Sequence, residues 1–207
     1  MKHFLTSLIF FAFLTFTLNS ISQNLQSPSQ FLGYELGTQF SRHHQVVDYF
    51  KHVASTMPNQ VKLEQYGETY ERRPLIHAYI SSEENMRNLE TIRENNLKNA
   101  GIMSGVPSNT DIVIVWLSYN VHGNESSSTE ASMLTAYKLI TEKQNWLQNT
   151  VVIMDPCINP DGRDRYVNWY NQALIYGCLQ LIKIAIYDIL VINISFTLVW
   201  SSICRIL

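Results

Sequence analysis

The chain has 207 residues, a formal net charge of -2, a pI near 6.3 and 46% hydrophobic residues. That is enough for one globular domain, and the near-neutral balance excludes the basic surface a nucleic-acid partner needs. Its three cysteines, Cys157, Cys178 and Cys204, form neither a disulfide framework nor a metal-binding spacing.

Met1 to Ser22 has the pattern of a secretory signal. Lys2 and His3 give a basic start, Phe4 to Leu18 is apolar, and Ser20-Ile21-Ser22 supplies small residues for cleavage before Gln23. The apolar run is shorter than the ~20 residues of a spanning helix. This places the protein in a secreted or periplasmic compartment. Residues 23–38 are polar, with Pro28 and Gly33, and form an extended lead-in.

Arg42 to Met57 carries Val46, Val47, Phe50, Val53 and Ala54 at helical spacing, and Pro58-Asn59 ends that helix. His43, His44 and His52 are expected to be solvated. Val61 to Tyr66 and Leu75 to Ser81 have strand character. They flank a charged turn, Gly67 to Pro74, so they form a hairpin with a long connection. Ser81 and Glu84 make a capping box before a helix running to about Asn99. Ile112 to Leu117 is an unbroken apolar run, which suits a central strand buried on both faces. Thr129 to Ile140 is helical again, and Asn149 to Met154 is another apolar strand. Asp155 to Gly162 holds two prolines and a glycine, which predicts a turn over Asn159 to Gly162.

His122 and Glu125 lie in the connection between the apolar strand and the next helix. Sheet-strand C-termini are where open α/β proteins place their ligands. Imidazole and carboxylate three residues apart can reach one ion, with Gly123 allowing a tight bend. Zinc in a hydrolytic site commonly takes two His and one Glu. The overlapping sequon Asn124-Glu125-Ser126 is set aside, because a glycan there would occupy the same loop.

Three stretches in this order carry a resemblance: Tyr70-Glu71-Arg72-Arg73-Pro74-Leu75, His122-x-x-Glu125 and Asn159-Pro160-Asp161-Gly162. Together they resemble the zinc carboxypeptidases of the carboxypeptidase A type, over roughly Gln39 to Gln172. The resemblance implies an α/β/α sandwich with a mixed central sheet, of which residues 39–172 encode the N-terminal part. It implies Zn²⁺ as cofactor, with His122 and Glu125 as the first two ligands, and peptide or protein substrates. It also implies hydrolysis by zinc-activated water with a glutamate as base. Asn124 stands where animal digestive members carry a substrate-binding arginine, so that subsite does not transfer.

The family's third zinc ligand, general base and carboxylate-binding pair lie beyond the Asn-Pro-Asp-Gly stretch. No histidine follows His122 and no glutamate follows Glu142 here. No catalytic residue can therefore be assigned, and the chain is expected to be catalytically incomplete. Residues 173–207 shift abruptly to Ile and Leu. They read as a truncated or frame-shifted end, with a membrane anchor over Ile184 to Ile203 as the alternative; Asp188 inside that span counts against it. Two rival readings stand beside the peptidase: a non-enzymatic or membrane-tethered fragment, and a deacylase of N-acyl amino acids. The related deacylases share His-Gly-Asn-Glu.

Overall fold

The computed structural model describes residues 24–108 and 112–175. The signal segment, the tail from 176 and the alternative anchor over 184–203 lie outside the described residues. Among the described residues no helix is long and apolar enough to cross a membrane.

The lead-in is not extended throughout. Pro28–Leu32 forms a short helix, α1, whose N-cap Ser27 makes a reciprocal box with Gln30. α2 spans His43–Thr56, with Val46, Val47, Phe50 and Val53 buried on one face. β1, Val61–Glu68, and β2, Pro74–Ile80, pair antiparallel from Val61↔Ile80 to Glu68↔Pro74, so the predicted hairpin is present. The predicted helix to Asn99 is two pieces, α3 at Glu83–Arg87 and α4 at Leu89–Asn99, which meet at Asn88. Ser82, not Ser81, caps α3 by accepting from the Asn85 amide. Ser81 instead donates to the Thr150 carbonyl at 2.7 Å, which ties the end of β2 to β4.

β3, Val113–Ser118, is followed by α5, Ser128–Thr141, a 3₁₀ turn, Trp146–Gln148, and β4, Thr150–Asp155. The sheet order is β1-β2-β4-β3, antiparallel between β2 and β4 and parallel between β3 and β4. The sheet is mixed and the class is α/β, as expected. The placing of β3 in the middle is corrected: among the described residues it is an edge strand. It is not covered on both faces either, since Val113 is 57% and Trp116 59% exposed. An unbroken apolar run marks a strand with two apolar faces. It carries no information on how many neighbours that strand has.

α2 and α5 cover one sheet face. Val46, Phe50, Ala78, Ile80, Met133 and Met154 are completely buried there, in one continuous core. The opposite face holds Trp116, with its ring edge-on to His77, and Tyr66 stacked on His77 at 4.0 Å. Tyr66 donates to Asp155 Oδ2 at 2.7 Å. Burial raises the Asp155 carboxyl above its usual range.

His43 is also corrected. It is buried, with Nε2 bonded to the Pro74 carbonyl at 2.8 Å, and its backbone amide donates to Asp164. It lies three and seven residues before Val46 and Phe50, on the same face of α2. Burial lowers its pKa, against a smaller opposing effect of Asp164. A lowered native pKa means the unfolded chain takes up the proton first. The stability from neutral His43 is complete above the ordinary histidine value and falls as pH drops toward the lowered one. His43→Gln, which keeps a donor for Pro74, is expected to lose less stability than wild type between about pH 7 and about pH 5. Urea titrations at the two pH values check this.

Candidate metal centre

The connection from β3 to α5 carries both predicted ligands. His122 and Glu125 are exposed, while Asn120, Ser126 and Ser127 on either side are buried. The Glu125 amide donates to the His122 carbonyl at 2.9 Å, closing a turn around Gly123 and Asn124. The Ser128 amide then bonds the Glu125 carbonyl at 3.1 Å and starts α5.

Asn120 opens the loop in the left-handed region at φ 55°, a conformation asparagine tolerates better than most residues. The bend is held from all sides. The Asn120 amide donates to Ser128 Oγ at 2.8 Å, and its Nδ2 donates to the His122 carbonyl at 2.7 Å. The Cys157 thiol donates to its Oδ1 at 3.3 Å. Burial pushes that thiol up to about 12, so it stays protonated and serves as a donor rather than a thiolate.

The Asn159 to Gly162 stretch is not a free turn. Pro160 opens a long helix, α6, Pro160–Ile175. Asn159 Oδ1 accepts from the Gly162 amide at 2.9 Å, an N-cap, and proline suits the first helical position because its missing N–H is not needed there. This corrects the reading of that stretch as a simple turn. Its purpose is visible in what it touches. The Asn159 amide donates to the Asn120 carbonyl at 3.1 Å, and Asn159 Nδ2 donates to the Val121 carbonyl at 3.2 Å. A Cβ placed on Gly123 would lie 2.2 Å from the Gly162 carbonyl carbon and oxygen. The loop therefore rests backbone against backbone on the first turn of α6.

The same turn of α6 receives the charged hairpin end. Thr69 Oγ1 donates to Asp161 Oδ1 at 2.7 Å. Arg73 reaches Asp161 at 2.7 Å, Asp164 at 2.8 Å and Glu71 at 2.5 Å. Three stretches far apart in sequence thus meet at one helix start: the Glu71-Arg72-Arg73-Pro74 turn, the His122 to Glu125 loop, and Asn159 to Gly162. Arg163 and Glu130, which no sequence pattern singled out, form a buried pair at the back of the same junction. Nothing local flags them, because each becomes a partner only through the fold.

Comparison with known families matches residues 46–174 to zinc carboxypeptidase. The chain belongs to the zinc carboxypeptidase family. No curated protein matched. Among solved structures, carboxypeptidase A from Helicoverpa armigera is 19% identical with a TM-score of 0.47, over 69% of this chain and 29% of that one. Bovine thrombin-activatable fibrinolysis inhibitor, solved with tick carboxypeptidase inhibitor, is 16% identical with a TM-score of 0.45, over 63% of this chain and 34% of that one. The chain spans about a third of the length of these structures.

A family zinc would meet one imidazole and one carboxylate on this loop, both open to solvent. Among the described residues, no group of three His, Cys, Asp or Glu side chains comes together. A catalytic zinc uses three protein ligands and a water. Among the described residues the loop offers two candidate donor groups, His122 and Glu125, one fewer than such a site uses.

Proposed function

We propose that this chain carries the metal-holding loop of a zinc carboxypeptidase, an enzyme type that releases C-terminal residues from peptides. The observation that supports it best is the seating of the His122 to Glu125 loop on the α6 start, in a chain of that family. His122 would offer a neutral imidazole nitrogen and Glu125 a carboxylate oxygen. When bound there, zinc polarises a carbonyl and lowers the pKa of a bound water.

The chain's own contribution is rigidity. Asn120 and Asn159 fix the loop's entry, the His122 carbonyl to Glu125 amide bond fixes its turn, and the start of α5 fixes its exit. A metal ligand whose backbone is held at both ends loses little freedom on binding, which favours affinity. The 207 residues include no further His after His122. We therefore propose that this chain alone binds zinc with an incomplete set of ligands and turns over no peptide. The basic and apolar start over residues 1–22 supports secretion.

Zinc titration of the purified chain, followed by the His122 imidazole resonances, tests the assignment. His122→Ala and Glu125→Gln are each expected to weaken binding by more than about 100-fold, beyond the range that partners outside the ligand set contribute. Their far-ultraviolet circular dichroism should match wild type, because both side chains are exposed. Equal zinc affinity in wild type and both variants would rule the loop out as the metal site. Measurable zinc-dependent release of a C-terminal residue by this chain would overturn the incompleteness.

A further inference from the structure

We propose that Arg163 is the positioning residue for the exit of the metal-binding loop. This rests on His122 and Glu125 holding zinc, and it adds the group that decides where Glu125 stands.

Arg163 is 0% exposed, and a guanidinium is almost never fully buried unless it is paired. Its fork makes three bonds to three different parts of the chain. Nε donates to the Ser41 carbonyl at 3.0 Å, Nη1 to the Ser126 carbonyl at 2.5 Å, and Nη2 to Glu130 Oε1 at 2.5 Å. Glu130, also buried, accepts from the Ser41 amide at 2.5 Å and from Thr129 Oγ1 at 3.1 Å. Phe40 covers the guanidinium with its ring centroid at 5.3 Å.

Ser126 is the residue after Glu125. Its carbonyl is the point where the loop turns into the buried start of α5. A donor fixed on α6 therefore sets the position of the adjacent peptide, and with it the Glu125 backbone. Glu130 holds the fork in plane, and Ser41 holds the third corner. The guanidinium does this through planar geometry as well as charge, so lysine is no substitute. Stability alone would not require the pair, since a buried ion pair can often be replaced by apolar side chains without loss.

That difference supplies the test. Arg163→Met alone leaves Glu130 buried without its cation and is expected to lose the fold. Arg163→Met with Glu130→Met removes both charges and refills the volume, but leaves the Ser41 amide and carbonyl and the Ser126 carbonyl without these partners. In the full chain carrying both changes, the melting temperature is expected to fall, and the amide protection of β4 only by that global loss. The Glu125 and Ser128 amides should exchange faster, and zinc affinity should fall about tenfold or more. Arg163→Lys should keep the charge pair and still show the faster loop exchange. Loop protection that falls no more than that of β4, or zinc affinity equal to wild type in the double variant, would overturn the proposal. If the wild-type chain binds no zinc through His122, the metal reading fails separately, and the exchange rates still decide the role of Arg163.

Discussion

Gly123→Ala is expected to destabilise the chain by about 3 kcal/mol, the upper end for inserting a methyl group into a packed site. The added Cβ would sit 2.2 Å from the carbonyl carbon and oxygen of Gly162 and 2.7 Å from its Cα. All three are backbone atoms at the start of a helix, so no side chain can swing aside. Either the loop lifts off α6 or α6 shifts. A shift breaks the Asn159 bonds to Asn120 and Val121, because they span the same gap. Lifting strains the same bonds, and it takes His122 and Glu125 with it. The variant should therefore lose zinc affinity together with stability. Gly67→Ala is the control, since its Cβ would meet Leu75 Cδ1 at an ordinary 3.7 Å. That change should stay within about 1 kcal/mol of wild type. Urea midpoints for both variants decide the matter. A Gly123→Ala chain as stable as the control would mean the loop and helix are not in tight contact.

The parts of this fold that depend on local rules were legible in the sequence. Val46, Phe50 and Val53 announce α2 by their spacing, and the hairpin follows from two apolar runs around a charged turn. His122 and Glu125 could be placed in a loop because strand and helix character change on either side of them. Part of what failed required knowledge of neighbours. The apolar run of β3 could not reveal that it lies at an edge among the described residues. Asn159-Pro160-Asp161 carries turn dipeptides, yet Asn at the cap, Pro first and an acid in the first turn are also helix-start signals. His43 shares the spacing of the buried face, so its burial was legible too. The Arg163 and Glu130 pair was not. Charged residues near helix starts are ordinarily solvated, and only the fold brings together two residues 33 positions apart.

These observations assign different tasks to the family's recurring stretches. The loop carries the proposed metal-binding groups, whereas Asn159 and Gly162 offer it a surface to rest on. Asn159 divides its side chain between the two tasks: Oδ1 caps α6 while Nδ2 holds Val121. The helix start and the loop are therefore fixed by one residue, and neither can move without the other.

Arg73→Met should destabilise the chain by about 2 kcal/mol at neutral pH, the range for hydrogen bonds to charged groups. Arg73 joins the hairpin end to α6 through Asp161 and Asp164, whose side chains are 15% and 14% exposed. Its removal leaves those two carboxylates and Glu71 close together, with the exposed Arg165 pairing only Glu71. The cost should depend on pH, and the sign follows from the carboxyl shifts. Hydrogen bonds from Arg73 and Arg165 hold Glu71 below its ordinary value. Burial works to raise Asp161, but hydrogen bonds from Thr69, Arg73 and the Glu71 amide hold it below its ordinary value. Lowered native values stabilise the fold above the ordinary carboxylate range, and that stability is lost as pH falls through the lowered values. In Arg73→Met these values rise, so the variant has less to lose in acid. The gap between wild type and variant should narrow from about pH 6 to about pH 3, where carboxylates titrate. Added salt should narrow it less, because the bridges to Asp161 and Asp164 are mostly shielded from solvent. A gap that stayed constant across that range would show that Arg73 acts through the packing of its stem. The hairpin end would then rest on α6 by shape, and Asp161 would be free to serve the helix start alone.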